Sequence, residues 1–306
     1  MLIYLPIADV AINVFLLFAM GLAVGFISGM FGVGGGFLMT PFLIFLGISP
    51  GVAVASVASH ITASSFSGAL SHWRKRAVDV PMAFVLLSGG LVGTASGVWI
   101  FTKLRAVGQL DLLIGLSYLV MLTAVGGLML IESVRAINRA RHQQPSQLRR
   151  PGAHTWVHAL PFKMRFKHSK IYVSFFPVWG IGYVIGLVGA VMGIGGGFLL
   201  VPMLIYFLRM PTATVIGTAA VLTTATMAVA TLMHALTNHL VDAVLALVLM
   251  IGGVIGAQFG ARTAQNMPAE RLRLLLALLI LAVGLRFGYE LISRPANLYS
   301  LRALGS

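Results

Sequence analysis

Cysteine is absent from this chain. Disulfides and thiolate-bound metals are thereby excluded, and cysteine usage says nothing of the redox compartment. Acidic side chains are nearly absent, with seven Asp and Glu among 306 residues. None stands alone in the middle of an apolar run as an obvious proton relay. No paired-carboxylate, HExxH or GxSxG pattern occurs, which argues against an enzyme. Charged residues of both signs make up 9%, where a soluble domain carries about a quarter. Apolar sequence takes their place: 58% of residues are hydrophobic and the mean hydropathy is +0.97. Runs of roughly 20 apolar residues recur along the length, enough to cross a hydrocarbon core as helices. No period-two alternation suggests a β-barrel. The fold class is all-α: a polytopic integral membrane protein.

The charge that is present is basic, +14 net. Nine of the 21 Lys and Arg lie between Glu132 and Tyr172: Arg135, Arg139, Arg141, Arg149, Arg150, Lys163, Arg165, Lys167 and Lys170. No nucleic-acid-binding motif accompanies them. They read as a topogenic cytoplasmic loop beside anionic lipid in a bacterial inner membrane. The first 26 residues lack a basic start and a small-residue cleavage site, and read as a retained first helix. The chain divides into an N-terminal transmembrane repeat (1–131), the basic loop (132–172), a C-terminal repeat (173–293) and a tail (294–306).

Apolar segments fall at about 9–29, 33–47, 51–72, 80–101 and 110–131, then at about 173–191, 195–208, 212–235, 242–262 and 273–292. Each half reads long, short, long, long, long. Pro50 answers Pro211, His72 answers His234, and Val78-Asp79 answers Val241-Asp242. Gly89, Gly90, Gly93 and Gly97 answer Gly252, Gly253, Gly256 and Gly260. The halves are homologous repeats with short, broken helices, a transporter pattern. With the basic loop held inside, an inverted arrangement keeps Arg74, Lys75, Arg76, Arg262, Arg271 and Arg273 inside. Lys103, Arg105, Arg294 and Arg302 fall outside. A parallel arrangement shows no such bias, so inversion is the expectation.

The most specific feature is a ten-residue phrase written twice: GVGGGFLMTP from Gly32 and GIGGGFLLVP from Gly193. Each glycine costs a helix about 1 kcal/mol against alanine, so an unwound stretch is expected, then a short helix from Phe37. Backbone N–H groups freed at membrane depth must face protein or a polar cavity. Facing a cavity, they form an anion site with a helix dipole and no Cβ in the way. Gly32, Gly34, Gly35, Gly36, Gly193, Gly195, Gly196 and Gly197 are therefore candidate substrate-binding residues, converging near the midplane. The competing reading is tight helix packing by small residues. A nucleotide phosphate loop is excluded, since no Lys-Ser/Thr follows.

The third segment, ASVASHITASSFSGALSH, is polar for a span, and its counterpart carries several threonines. Ser56, Ser59, Thr62, Thr218, Thr223 and Thr226 are candidates to donate to an oxyanion. They can equally bond the preceding turn of their own helix. His60 is an ionisable group near mid-segment. It reads either as an anion or proton carrier, or as a neutral imidazole on a backbone carbonyl. His72 and His234 are expected at the interfaces, and Asp79 and Asp242 as helix caps. Arg209 is expected to snorkel, and Arg286 to pair with Glu290.

GFISGMFGVGGGFLMTPFLIFLGISP, its repeat GLVGAVMGIGGGFLLVPMLIYFLRMP, and the fourth helix opening on Val-Asp with its GG-x-x-G-x-x-x-G resemble the TauE/SafE, or sulfite exporter, family of membrane permeases. The resemblance covers nearly the whole chain outside the basic loop. It implies a transporter of a small anion, sulfur-containing: sulfite, thiosulfate or a sulfoacetate-like organosulfonate. Alternating access at a midplane site would carry it. An anion channel and a carrier of non-sulfur organic anions are the alternatives. The expected partners are a small anionic substrate and the lipid bilayer, with no nucleic acid and no cofactor. Proton coupling has two routes, His60 or a proton borne by the substrate.

Overall fold

A computed structural model describes residues 2–31, 34–74, 76–141, 163–166, 169, 171–208, 212–264 and 269–292. The first half comprises a hairpin, β1 (Leu2–Leu5) and β2 (Val10–Asn13), then α1 (Val14–Phe31), α2 (Gly36–Phe45), α3 (Pro50–Arg74), α4 (Val80–Ala106) and α5 (Leu110–Arg141). The second repeats the order: β3 (Lys163–Phe166), β4 (Ile171–Ser174), α6 (Phe175–Met192), α7 (Gly197–Pro202), α8 (Thr212–Met233), α9 (Ala243–Ala264) and α10 (Ala269–Ile292). One π-helical turn (Met203–Phe207) continues α7 and another (His234–Asn238) continues α8. Among the described residues, α4, α5, α6, α8 and α9 are long and apolar enough to cross a membrane. The protein is all-α and polytopic.

Two sequence expectations change. The opening segment is not one helix from about residue 9: residues 2–13 form an antiparallel hairpin pairing Ile3 with Ile12 and Leu5 with Val10. Burial alternates along the strands, with Leu5 and Ile12 buried beside exposed neighbours, and Asp9 adopts φ +55° in the turn between them. That two-residue period competes successfully with helix formation. A second hairpin, β3–β4, stands in the same place before α6. The span expected as a loop therefore carries structure at both ends. Arg139 and Arg141 lie on α5, and Lys163 and Arg165 on β3. Residues 142–162 are outside the described part.

Helix packing is exchanged between the halves. On α1, Gly21 meets Leu249, Gly25 meets Gly253 and Gly29 meets Ala257 of α9. Both indices rise together, so the two helices run in the same direction. Gly89, Gly93 and Gly97 of α4 likewise meet Trp179, Tyr183 and Leu187 of α6. A Cβ at Gly25 or Gly93 would overlap the facing backbone, so only hydrogen fits. Equivalent helices cross antiparallel. Gly126 of α5 lies against Ile280 of α10, and Gly288 of α10 against Leu119 of α5. In the same way α3 crosses α8, with Ile61 near Thr223 and His72 beside Gly217.

Candidate functional site

The two glycine phrases meet at the α3–α8 crossing. The left-handed conformation that Gly34 adopts (φ +74°) recurs at its equivalent Gly195 (φ +72°). L-side chains pay for that conformation and glycine does not. Gly193, at φ +65°, closes the C-terminus of α6 with its N–H donated to the carbonyl of Gly189 at 2.9 Å. A Cβ on Gly36 would stand 2.6 Å from the carbonyl oxygens of Gly193 and Ile194. The Thr40 hydroxyl donates to the Gly193 carbonyl at 3.3 Å. Phe37 and Phe198, each following its glycine run, stack with ring centroids 4.5 Å apart. The structure thus brings Gly34, Gly35, Gly36, Gly193, Gly195, Gly196 and Gly197 together, all buried. Gly32 lies outside the described residues.

Short helices leave these turns. α2 begins at Gly36, one residue before the expected start, and α7 at Gly197. The first N–H groups of any helix lack intrahelical partners. Pro41 lies inside α2 and Pro202 ends α7, where the missing N–H gives way to the π-helical turn. Ten residues make α2 about 15 Å long, half a hydrocarbon core.

The hydroxyls divide. Thr223 Oγ1 is buried without a hydrogen-bond partner. It lies 3.5 Å from where a Gly196 Cβ would stand. Ser59 donates to the Ser56 carbonyl, Thr62 to Ala58 and Thr226 to Leu222. These three bond their own helix. Ser56 and Thr218 do something else. Ser56 Oγ accepts the N–H of Asp242 at 3.1 Å, and Thr218 Oγ1 accepts the N–H of Asp79 at 3.2 Å. His60 is buried against α9, where Nδ1 donates to the Leu249 carbonyl at 2.8 Å. Its Nε2 has no partner. A carbonyl only accepts, so the Nδ1-protonated imidazole is the form that fits.

Sequence reasoning missed Ile61, which fills the space between the turns. Its side chain reaches positions that Cβ atoms on Gly36 and Gly195 would take. An isoleucine in an apolar run carries no signal of such a place. It also missed Tyr118 of α5, whose hydroxyl donates to the Met192 carbonyl at 2.7 Å. His234, expected near a membrane interface, is enclosed by protein. It is fully buried, bonded through Nε2 to the Ala190 carbonyl at 3.1 Å and edge-on to Phe101. A π-helical turn carries it inward. Arg286 lies over the Phe45 ring, 5.1 Å from its centroid; the Glu290 side chain and Arg209 fall outside the described part. Among the described residues no group of three His, Asp or Glu side chains could hold a metal.

Away from the centre a cavity of about 610 Å³ is lined by Trp73, Arg76, Val78, Asp79, Val80, Pro81 and Arg165. It sits where α3 turns into α4, against the β3–β4 hairpin.

The glycine turns, short helices and crossing third helices are features of the whole fold, and residues 17–287 match the family model described as Sulfite exporter TauE/SafE. The chain belongs to the TauE/SafE family. A Xylella fastidiosa protein named a probable membrane transporter is 28% identical over 86% of this chain and 90% of its own length. The Bacillus subtilis probable membrane transporter YjnA is 26% identical over 87% of this chain and 96% of its own. An Arabidopsis thaliana protein named for the same family is 28% identical, over 39% of this chain and 26% of its own length. No solved structure matches. As a TauE/SafE protein with multiple apolar helices, the chain is a multi-pass integral membrane transporter acting on a small substrate.

Proposed function

We propose that this TauE/SafE protein carries a small sulfur-containing oxyanion or organosulfonate across a bacterial inner membrane by alternating access. The substrate binds where the two glycine turns meet. One observation carries the reading: two equivalent left-handed glycine turns face each other at the α3–α8 crossing, with the unpartnered Thr223 hydroxyl buried beside them. Helix N-termini and a hydroxyl donate to an oxyanion without the cost of burying a cation. The antiparallel crossing of α5 with α10 and of α3 with α8 supports inversion of the repeats. The basic loop is the cytoplasmic one, by the positive-inside bias. Sulfur enters from the family description, which names sulfite.

Ile61 packs between the two buried glycine turns. Substrate binding then requires Ile61 to turn aside. The test is flux of radiolabelled sulfite, thiosulfate, sulfate and acetate in proteoliposomes at two pH values. Saturable flux of one sulfur oxyanion is expected, and a dependence on pH would point to proton coupling. Unsaturable, much faster flux would make it a channel; flux of acetate alone would remove sulfur from the reading.

A further inference from the structure

Asp79 and Asp242 are both fully buried, and each gathers three elements. Asp79 caps α4, its Oδ1 accepting the Met82 N–H at 3.3 Å. Its Oδ2 accepts the N–H and the hydroxyl of Ser169, at 2.9 and 2.6 Å, from the β3–β4 turn. Its own N–H goes to Thr218 on α8. Asp242 repeats the pattern. Oδ1 accepts Val244 and Leu245 N–H groups at the start of α9, both at 3.1 Å. Oδ2 accepts the Ile7 N–H at 3.0 Å from the β1–β2 turn. Its own N–H goes to Ser56 on α3. Three residues before each aspartate the chain turns through a left-handed residue, Arg76 at φ +54° and His239 at φ +51°.

In both cases the hairpin and the hydroxyl come from the opposite repeat. Each aspartate therefore ties one half to the other. Ser56 and Thr218 each lie five residues before the crossing residues Ile61 and Thr223. Because α3 and α8 run antiparallel, the two ties fall on opposite sides of the central site. We infer that Asp79 and Asp242 are paired gates, one above and one below the glycine turns, and that transport proceeds by breaking them alternately. Both ties are made in this structure. The cavity of about 610 Å³ reaches Asp79. The inference rests on the central site proposed above, but its test uses no substrate.

The chain has no cysteine, so a single Thr223→Cys gives a reporter at the crossing with no background. Its labelling by a membrane-impermeant maleimide is measured from each face, in right-side-out and inside-out vesicles. Asp79→Asn sets an amide N–H against the donors of Ser169 or Met82, and Asp242→Asn does the same to those of Ile7 or Leu245. Labelling is expected to rise on the order of tenfold from one face in the first variant and from the other face in the second, as loss of one charge-assisted bond would give. Ser169→Ala and Ser56→Ala remove one bond each and should move labelling in the same two directions by less. They serve if an aspartate variant does not accumulate. Rises from the same face, or no rise from either, would overturn the inference. A lack of sulfur-oxyanion flux would leave the labelling result standing and count only against the substrate.

Discussion

Gly195 and Thr223 test the site from opposite directions. Alanine at Gly195 forces a left-handed L-residue, at about 1–2 kcal/mol, and puts a Cβ 2.8 Å from Ile61. Gly195→Ala is expected to insert into the membrane yet lose at least about tenfold in flux. Gly68, helical on α3 with nothing within 4 Å, is the control. Gly68→Ala should keep flux and gain up to about 1 kcal/mol, read as melting temperature in detergent. Thr223→Val removes a buried hydroxyl that satisfies no partner, so thermal stability should hold or rise. The KM for the transported anion should rise if the hydroxyl donates to it. Thr218→Val instead orphans the Asp79 N–H and should cost about 1–3 kcal/mol, with the melting temperature as the check. The glycine turns were legible in the sequence because four glycines in five residues, twice, are too costly for a helix interior. The division among the hydroxyls was not, since a serine that bonds its own helix and one that crosses to another repeat have the same spelling.

Among the elements, the short helices were legible from length and proline, and the long ones from hydropathy. The hairpins were not. Four-residue strands inside an apolar run give too little alternation to outweigh a helical reading, and their partners lie only a turn away. Pairing was hidden too. Gly89 to Gly97 and Gly252 to Gly260 are equivalent series, yet they do not pack on each other. Each meets the first helix of the opposite half, and no one-dimensional period says which partner a glycine seam will choose. The seams have a measurable weight. Gly25→Leu and Gly186→Leu each push a side chain into facing backbone, at Gly253 and Gly90 respectively. Overpacking of this kind costs about 1–3 kcal/mol or more. Both should lower the melting temperature in detergent and the amount of folded protein recovered, while Gly180→Ala, open on every side, should not.

At the scale of the molecule, the family and the multi-pass architecture were legible because the apolar segments recur along the chain and the glycine phrase marks each half. The way the halves interlock was not, since it depends on contacts 90 or more residues apart. If the halves are interlocked rather than side by side, neither is a domain. Residues 1–141 or 163–306 expressed alone should be degraded, whereas the two expressed together should co-purify through a tag on either one. Recovery of a stable, folded single half would refute the exchanged packing. The exchange between α1 and α9 also sets an order of events during synthesis. α1 leaves the ribosome long before its partner α9. For most of translation the seam of Gly21, Gly25 and Gly29 has only lipid, or an insertion chaperone, against it. A helix made well before its partner thus waits to be fastened, and a ribosome that stalls before α9 leaves a seam that cannot close.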